Sequence, residues 1–124
     1  MQMEVLFKSV LEQDPSPVVL CDRDHTILYM NPVAIARYAS YGGAKLLGRN
    51  LLDCHDPASR EKLIGVLSWF EESTDHNRVH TFYNGKENRD VYMVALRDEG
   101  GRLIGYYEQH LYRDRDETPL YTME

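Results

Sequence analysis

The sequence predicts an α+β domain in which a five-stranded antiparallel sheet carries helices on one face and follows an N-terminal amphipathic helix. One observation is the grouping of segments along the chain: a helix, two strands, several helices and then three strands. A second is that consecutive strands are joined by short polar turns, which favour hairpins over the long crossovers of βαβ units.

The first element is a helix over residues 1–13. Its apolar positions recur at the spacing of one helix face, and Asp14-Pro15 ends it. Such a stripe packs either on its own domain or on a second copy of the chain, and the spacing is compatible with both. The positions are Met3, Leu6, Phe7, Val10 and Leu11.

The next segments predict a hairpin that leads into short helices. Two apolar runs, residues 17–21 and 26–30, flank the polar turn 22–25. Asn31 is placed to cap a helix over residues 33–39, with Pro32 at its first position. Gly42 and Gly43 end that helix, and residues 44–48 form a second short helical piece.

The longest helix is predicted from Pro57 to Glu72, capped by Asp56, with the apolar side chains of Leu63 and Leu67 on one face. A three-stranded meander follows. Its strands are residues 79–83, 90–96 and 102–112, and its turns contain an Asn-Gly pair at 84–85 and two glycines at 100–101.

The middle strand of the meander is apolar on both faces, so both faces need cover. One face can rest on the helices, whereas the N-terminal helix, a partner chain, or both can cover the other. We therefore expect a homodimer. The expected contacts, besides the N-terminal stripe, are Tyr92, Val94, Ile104 and Tyr106.

Composition limits the classes of partner. The chain has 124 residues, enough for one domain, and a net charge of −6, which argues against nucleic acid and against an anionic membrane surface. The sequence contains neither an apolar run long enough to cross a bilayer nor the pattern of a signal peptide. We therefore expect a cytoplasmic protein in which Cys21 and Cys54 are reduced thiols.

The order of elements, together with the motif series in residues 22–60, resembles the PAS family of sensory domains. The resemblance covers residues 14–112, with the N-terminal helix at 1–13 before it and a C-terminal tail at 113–124 after it. The positions that carry it are Asp22, Ile27, Tyr29, Asn31, Ala34, Gly43, Leu46, Gly48, His55, Pro57 and Arg60.

The resemblance implies a curved sheet around a small cavity, and PAS domains bind heme, flavin or small metabolites, or pair with other proteins. It also implies that a separate signalling protein supplies the output, because no output domain follows in this sequence. We expect a stand-alone PAS sensor or adaptor that is not an enzyme.

Cofactor chemistry is tested against the family's motifs. "GRN" at 48–50 resembles the flavin-binding LOV subfamily, but Leu51 stands where the photoreactive cysteine would follow, so LOV photochemistry is rejected. The long helix lacks the axial histidine of oxygen-sensing heme PAS domains. Non-covalent flavin, or heme held by His55 or His80, stays an alternative, and the cofactor remains unassigned.

The pair Cys54-His55 does not predict catalysis or a metal site. Sequence neighbours seldom aim at one point, neither cysteine has a C-x-x-C partner, and Asp56-Pro57 is explained as a helix cap. We expect no catalytic residues and no metal. Cys54 and His55 remain candidates only as neighbours of a ligand.

Strand alternation predicts which residues face the cavity. The resulting set suits a small, mostly apolar ligand with one anionic or carbonyl group. An interaction module whose cavity is filled by its own side chains, and a small enzyme with a histidine-tyrosine pocket, are the other hypotheses. The predicted pocket residues are Val19, Cys21, Leu67, Phe70, His80, Phe82, Val91, Met93, Leu103 and Tyr107.

Overall fold

A computed structural model describes residues 1–123; Glu124, the last residue of the predicted tail, lies outside the described residues. The helices and strands follow the predicted order, and three 3₁₀ turns (Ala39–Tyr41, Gly43–Leu46 and Leu51–Cys54) separate the second and third helices. The elements are α1 (Met3–Gln13), β1 (Val19–Asp22), β2 (Ile27–Met30), α2 (Pro32–Arg37), α3 (Pro57–Glu72), β3 (Arg78–Asn84), β4 (Arg89–Arg97) and β5 (Leu103–Tyr112).

The five strands form one antiparallel sheet in the spatial order β2-β1-β5-β4-β3. The last strand of the chain, β5, therefore lies at the centre of the sheet, between β1 of the first hairpin and β4 of the meander. This arrangement confirms the predicted α+β class, the five strands and their antiparallel pairing. It also brings β1 and β5 together, which no local turn signal could specify.

Helices α2 and α3 each begin with a side-chain cap that is followed by a proline at the first helical position. The Asn31 side chain accepts a hydrogen bond from the backbone N–H of Ala34, and Pro32 occupies the first turn of α2. Asp56 accepts one from the N–H of Ser59 at 2.8 Å and begins α3 in the same way. Both predicted caps are confirmed, because the cap depends only on residues within one turn.

Asn31 also attaches α1 to the sheet. Its amide nitrogen donates to the carbonyls of Leu11 and Ser16 at 3.1 and 2.9 Å, and its side-chain oxygen accepts from the N–H of Val18 at 2.9 Å. Tyr29 adds a contact to Glu12, at 3.0 Å. The C-terminal end of α1 is thereby fixed, although no residue of α1 is buried.

The core lies between the inner face of the sheet and the helical segments. Phe70 of α3 and Met93 of β4 are almost fully enclosed, and Tyr106 of β5 is 1% exposed. Within residues 1–123, no helix has both the length and the apolar character needed to cross a membrane.

Of three irregularities in the strand pairing, two change the alternation of the predicted pocket residues; the third, an extra residue in β2, does not involve them. Between β4 and β5, Leu96 pairs with Gly105 but Arg97 pairs with Leu103, so β5 holds one extra residue. Between β3 and β4, His80 pairs with Tyr92 but Phe82 pairs with Val91, so Thr81 and the residues after it are shifted in the same way. Such bulges reverse the face to which all later residues of the strand point.

Candidate ligand cavity

A cavity of about 270 Å³ lies between the inner face of β1, β2 and β5 and the segment that runs from α2 to the start of α3. Most of its wall is apolar, with polar groups from four kinds of side chain: cysteine, tyrosine, histidine and glutamate. The lining residues are Val19, Cys21, Ile27, Met30, Tyr38, Tyr41, Leu46, Leu51, Cys54, His55, Tyr106 and Glu108.

The sheet supplies one wall of the cavity. Cys21 of β1 and Tyr106 of β5 are directly paired, so their side chains point to the same face, and Glu108 follows on that face two residues later. The opposite wall comes from the 3₁₀ turns and the loop before α3, where Leu51 and His55 lie. The helix caps at Asn31 and Asp56 begin and end this segment.

Tyr106 is anchored at the back of the cavity by His25. Its hydroxyl and Nδ1 of His25 are 2.8 Å apart, and the two rings meet edge to face with centroids 5.5 Å apart. His25 is itself buried and has a φ of 66°, in the left-handed region that non-glycine residues seldom adopt. The turn between β1 and β2 therefore holds the tyrosine in one position.

Burial disfavours the thiolate, the nucleophilic form of the thiol in the cavity. Burial raises the pKa of Cys21 to about 12, because the thiolate would lose its hydration. Burial also raises the pKa of the neighbouring Tyr106 hydroxyl. Both groups stay neutral and offer weak hydrogen-bonding contacts to anything in the cavity.

Glu108 is the one carboxylate-bearing residue of the cavity wall. Burial raises the pKa of its carboxyl, and the charges of His55 and Arg89 offset only part of that effect. The pKa of Tyr38 is also raised, mainly by burial and to a smaller extent by the nearby charge of Glu108. A carboxyl, a phenol and an imidazole therefore share one end of an otherwise apolar space.

The arginines closest to this end are held by other partners. Both terminal nitrogens of Arg37 donate to the Glu87 carboxylate, at 3.1 and 3.0 Å, and Nε of Arg89 donates to it at 2.6 Å. Arg89 also contacts the buried His110. These contacts join α2 to the β3–β4 hairpin and leave Glu108 outside the ion-pair network.

The structure places the predicted pocket residues in three environments. Val19 and Cys21 line the cavity. Five others are buried in the core but do not line the cavity: Leu67, Phe70, Val91, Met93 and Leu103.

The other three lie elsewhere, which corrects the predicted alternation. Tyr107 pairs with Leu20 and Val94 on the outer face, because the bulge before it reverses the face. His80 also lies on the outer face, stacked on Tyr92, and contacts Asp90 at 2.9 Å. Phe82, on the inner side of the edge strand, is 57% exposed.

The residues predicted for dimer contacts are also divided. In the N-terminal stripe, Met3, Leu6, Phe7 and Val10 are exposed and Leu11 is half-buried. On the sheet, Tyr92 and Val94 are half-buried and Ile104 is exposed. Tyr106 cannot contact a partner, since the bulge turns it inward and its side chain is 1% exposed.

Sequence reasoning missed most of the cavity wall, although one signal was present. An isolated glycine within a strand often marks a bulge or a close backbone approach, and Gly105 is such a residue. A Cβ at Gly105 would meet the carbonyl oxygen of Cys21 at 2.1 Å. Allowing for a bulge there would have assigned Tyr106 and Glu108 to the inner face.

Cys54 and His55 both line the cavity. Cys54 is an exposed free thiol at the rim, and His55 is half-buried. Among the residues that the structure describes, no three histidine, cysteine, aspartate or glutamate side chains converge as metal ligands would.

Comparison with known proteins agrees with this geometry. A family model described as "PAS fold" matches residues 11–114, whereas no curated protein matches. The chain is similar to the PAS domain of a protein from Colwellia psychrerythraea, at 14% identity and a TM-score of 0.65, over 90% of this chain and 97% of that one.

Two further solved structures are similar, and both come from Vibrio cholerae. A sensory box sensor histidine kinase has 15% identity and a TM-score of 0.57, over 89% of this chain and 90% of that chain. The Aer2 receptor, described as a dual PAS-heme oxygen sensor, has 16% identity and a TM-score of 0.55, over 79% and 94%. These likenesses concern the fold. On the family match and this fold, the chain belongs to the PAS family, whose sensory domains occur in sensor kinases and receptors.

Proposed function

We propose that this PAS domain is a cytoplasmic, non-enzymatic sensor that binds a small, mostly apolar molecule and signals through contacts with other proteins. The observation that supports the proposal best is the cavity of about 270 Å³ between sheet and helices. This volume is close to the lower limit of small-molecule pockets, about 300 Å³. It corresponds to the space that about nine water molecules occupy in the liquid. A single ring or a short chain suits this space.

The same volume argues against the larger cofactors of the family. Heme and flavin nucleotides are much bulkier than a single ring, and His55 is the one histidine among the lining residues. An absorbance spectrum of the purified protein tests this directly. A heme or flavin band would overturn the assignment of a small metabolite.

Ligand binding is tested by native mass spectrometry and by filling the cavity. We expect a bound small molecule in the native spectrum, and we expect Val19→Phe to lower its occupancy about tenfold or more, since Val19 lines the wall. Leu28→Phe is the matched control, because Leu28 lies on the neighbouring strand and is 62% exposed. Equal occupancy in both variants, or an empty wild-type cavity, would favour a pure interaction module.

Signalling through a second copy is the other part of the proposal. Five apolar side chains on α1 are exposed, from Leu6 at 43% to Val10 at 65%, and a homodimer would cover those of the predicted stripe. Phe7→Glu should shift the mass measured by light scattering from dimer to monomer, whereas Lys8→Glu, on the same helix, should not. A monomeric wild-type protein would contradict this part and leave the output to a different signalling protein.

A further inference from the structure

Glu108 has a carboxyl group in the cavity that nothing in the described chain neutralises. Within residues 1–123, no side chain forms an ion pair with it. No fully enclosed side-chain oxygen or nitrogen in this part of the chain lacks a hydrogen-bond partner. The Glu108 oxygens therefore face open space, and the cavity that they line provides it.

The neighbouring cations compensate this group only in part: His55 and Arg89 lower the pKa of its carboxyl, but burial outweighs them. The charged nitrogens of Arg37 and Arg89 are directed at Glu87, and Arg89 also contacts His110. A carboxylate that is partly withdrawn from water and has no ion-pair partner is costly, so a structure that keeps one leaves room for a compensating charge or donor from elsewhere.

The rest of the wall favours a cation over an anion. Tyr38, Tyr41 and Tyr106 line the cavity together with Glu108, and the faces of such rings attract positive charge. The chain carries a net charge of −6, which raises the local concentration of cations around the domain. The titratable and charged groups around Glu108 are Arg89, which lies outside the wall, and the residues that line the cavity with it: Cys21, Tyr38, Tyr41, Cys54, His55 and Tyr106.

We propose that the ligand of this cavity is a small apolar molecule with a protonated amine, and that the Glu108 carboxylate binds its ammonium group. This inference rests on the proposed function and specifies its ligand. It corrects the expectation of an anionic or carbonyl ligand, since that expectation relied on Cys21, His80 and Tyr107, and the last two lie on the outer face.

Three matched probes test the charge preference on the complete chain: benzylamine, benzyl alcohol and benzoate, titrated by calorimetry. We expect benzylamine to bind at least about tenfold tighter than benzyl alcohol, the ratio that a charge-assisted hydrogen bond adds over a neutral one. Benzoate should bind most weakly. Because burial raises the pKa of Glu108, ammonium binding should also release protons to the buffer at mildly acidic pH.

Glu108→Gln should abolish the preference for benzylamine while benzyl alcohol still binds. Glu99→Gln, in the exposed β4–β5 turn, is the matched control and should keep the preference. The wild-type comparison decides the question even if the glutamine variant does not fold. Equal binding of amine and alcohol, or tighter binding of benzoate, would overturn the amine inference and leave the cavity's role intact. No binding by any probe, with no co-purified small molecule, would overturn both.

Discussion

The hydroxyl of Tyr106 and the Nδ1 atom of His25 are 2.8 Å apart, although the two residues are 81 positions apart in the sequence. The contact joins the β1–β2 turn to the central strand, directly behind the cavity. It holds together two polar groups that are almost enclosed, at 1% and 8% exposure. Tyr106, which lines the cavity, is therefore held by a hydrogen-bonding contact to a residue outside the cavity wall.

Tyr106→Phe should lower the free energy of unfolding by about 1–2 kcal/mol, because the buried His25 ring loses its partner. Urea denaturation followed by circular dichroism measures this change. Tyr107→Phe, at the adjacent outward-facing position, is the control and should change stability by less than about 0.5 kcal/mol. Equal effects at both positions would contradict the inward assignment of Tyr106.

Gly105→Ala should destabilise the fold by about 3 kcal/mol or more, because the new Cβ would meet the Cys21 carbonyl oxygen at 2.1 Å. The backbones of β1 and β5 would have to move apart to make room for this Cβ. Gly65→Ala, in the interior of α3 with no atom within 4 Å of its Cβ position, should instead stabilise by about 0.5–1 kcal/mol. Thermal denaturation of the two variants should therefore shift in opposite directions; a tolerated Gly105→Ala would contradict the close approach of β1 and β5.

Arg97→Ala should lower the free energy of unfolding by about 2 kcal/mol, the range of hydrogen bonds from a charged donor. The Nη2 atom of Arg97 donates to the carbonyls of Phe70, Ser73 and His76, at 2.7, 3.0 and 3.1 Å, and so closes the C-terminal end of α3. Hydrogen exchange should show the loss first in the last turn of α3. Arg102→Ala, at an exposed position, should leave that turn protected.

Stability should fall as the pH falls from about 6.5 towards 4, because burial lowers the pKa of His110 from 6.5 to about 4. The unfolded chain binds a proton in that range and the folded chain does not, so stability is complete above pH 6.5 and is lost on acidification. Burial lowers the pKa of His25 as well, which acts in the same direction. Urea denaturation across this range measures the slope.

Two variants test the sign of this dependence. His110→Gln should flatten the slope, because its proton uptake is removed. Glu108→Gln should steepen it, since a carboxyl with a raised pKa loses stability as the pH rises and so opposes the histidines. The same direction of change in both variants would contradict the assignment.

Local signals in the sequence were sufficient for the elements of the fold. Asn31-Pro32 and Asp56-Pro57 predicted where α2 and α3 begin, because a cap depends on side chains within one helical turn. The polar turns predicted the hairpins. The cavity wall was harder to predict, because the face of each β5 residue depends on its register with β4 and β1.

The sequence by itself thus determined the order of helices and strands, the helix caps and the family, all of which depend on short-range spacing. Only the tertiary structure decided that Tyr106 and Glu108 face the cavity and that His80 and Tyr107 do not. For β5 the physical reason is the single extra residue, which reverses the side-chain alternation beyond it. In β3, His80 pairs with Tyr92 on the outer face, and the extra residue that follows turns Phe82 to the other face. Such bulges depend on the register between paired strands, so the apolar pattern of one strand did not reveal them, and Gly105 was the one local signal.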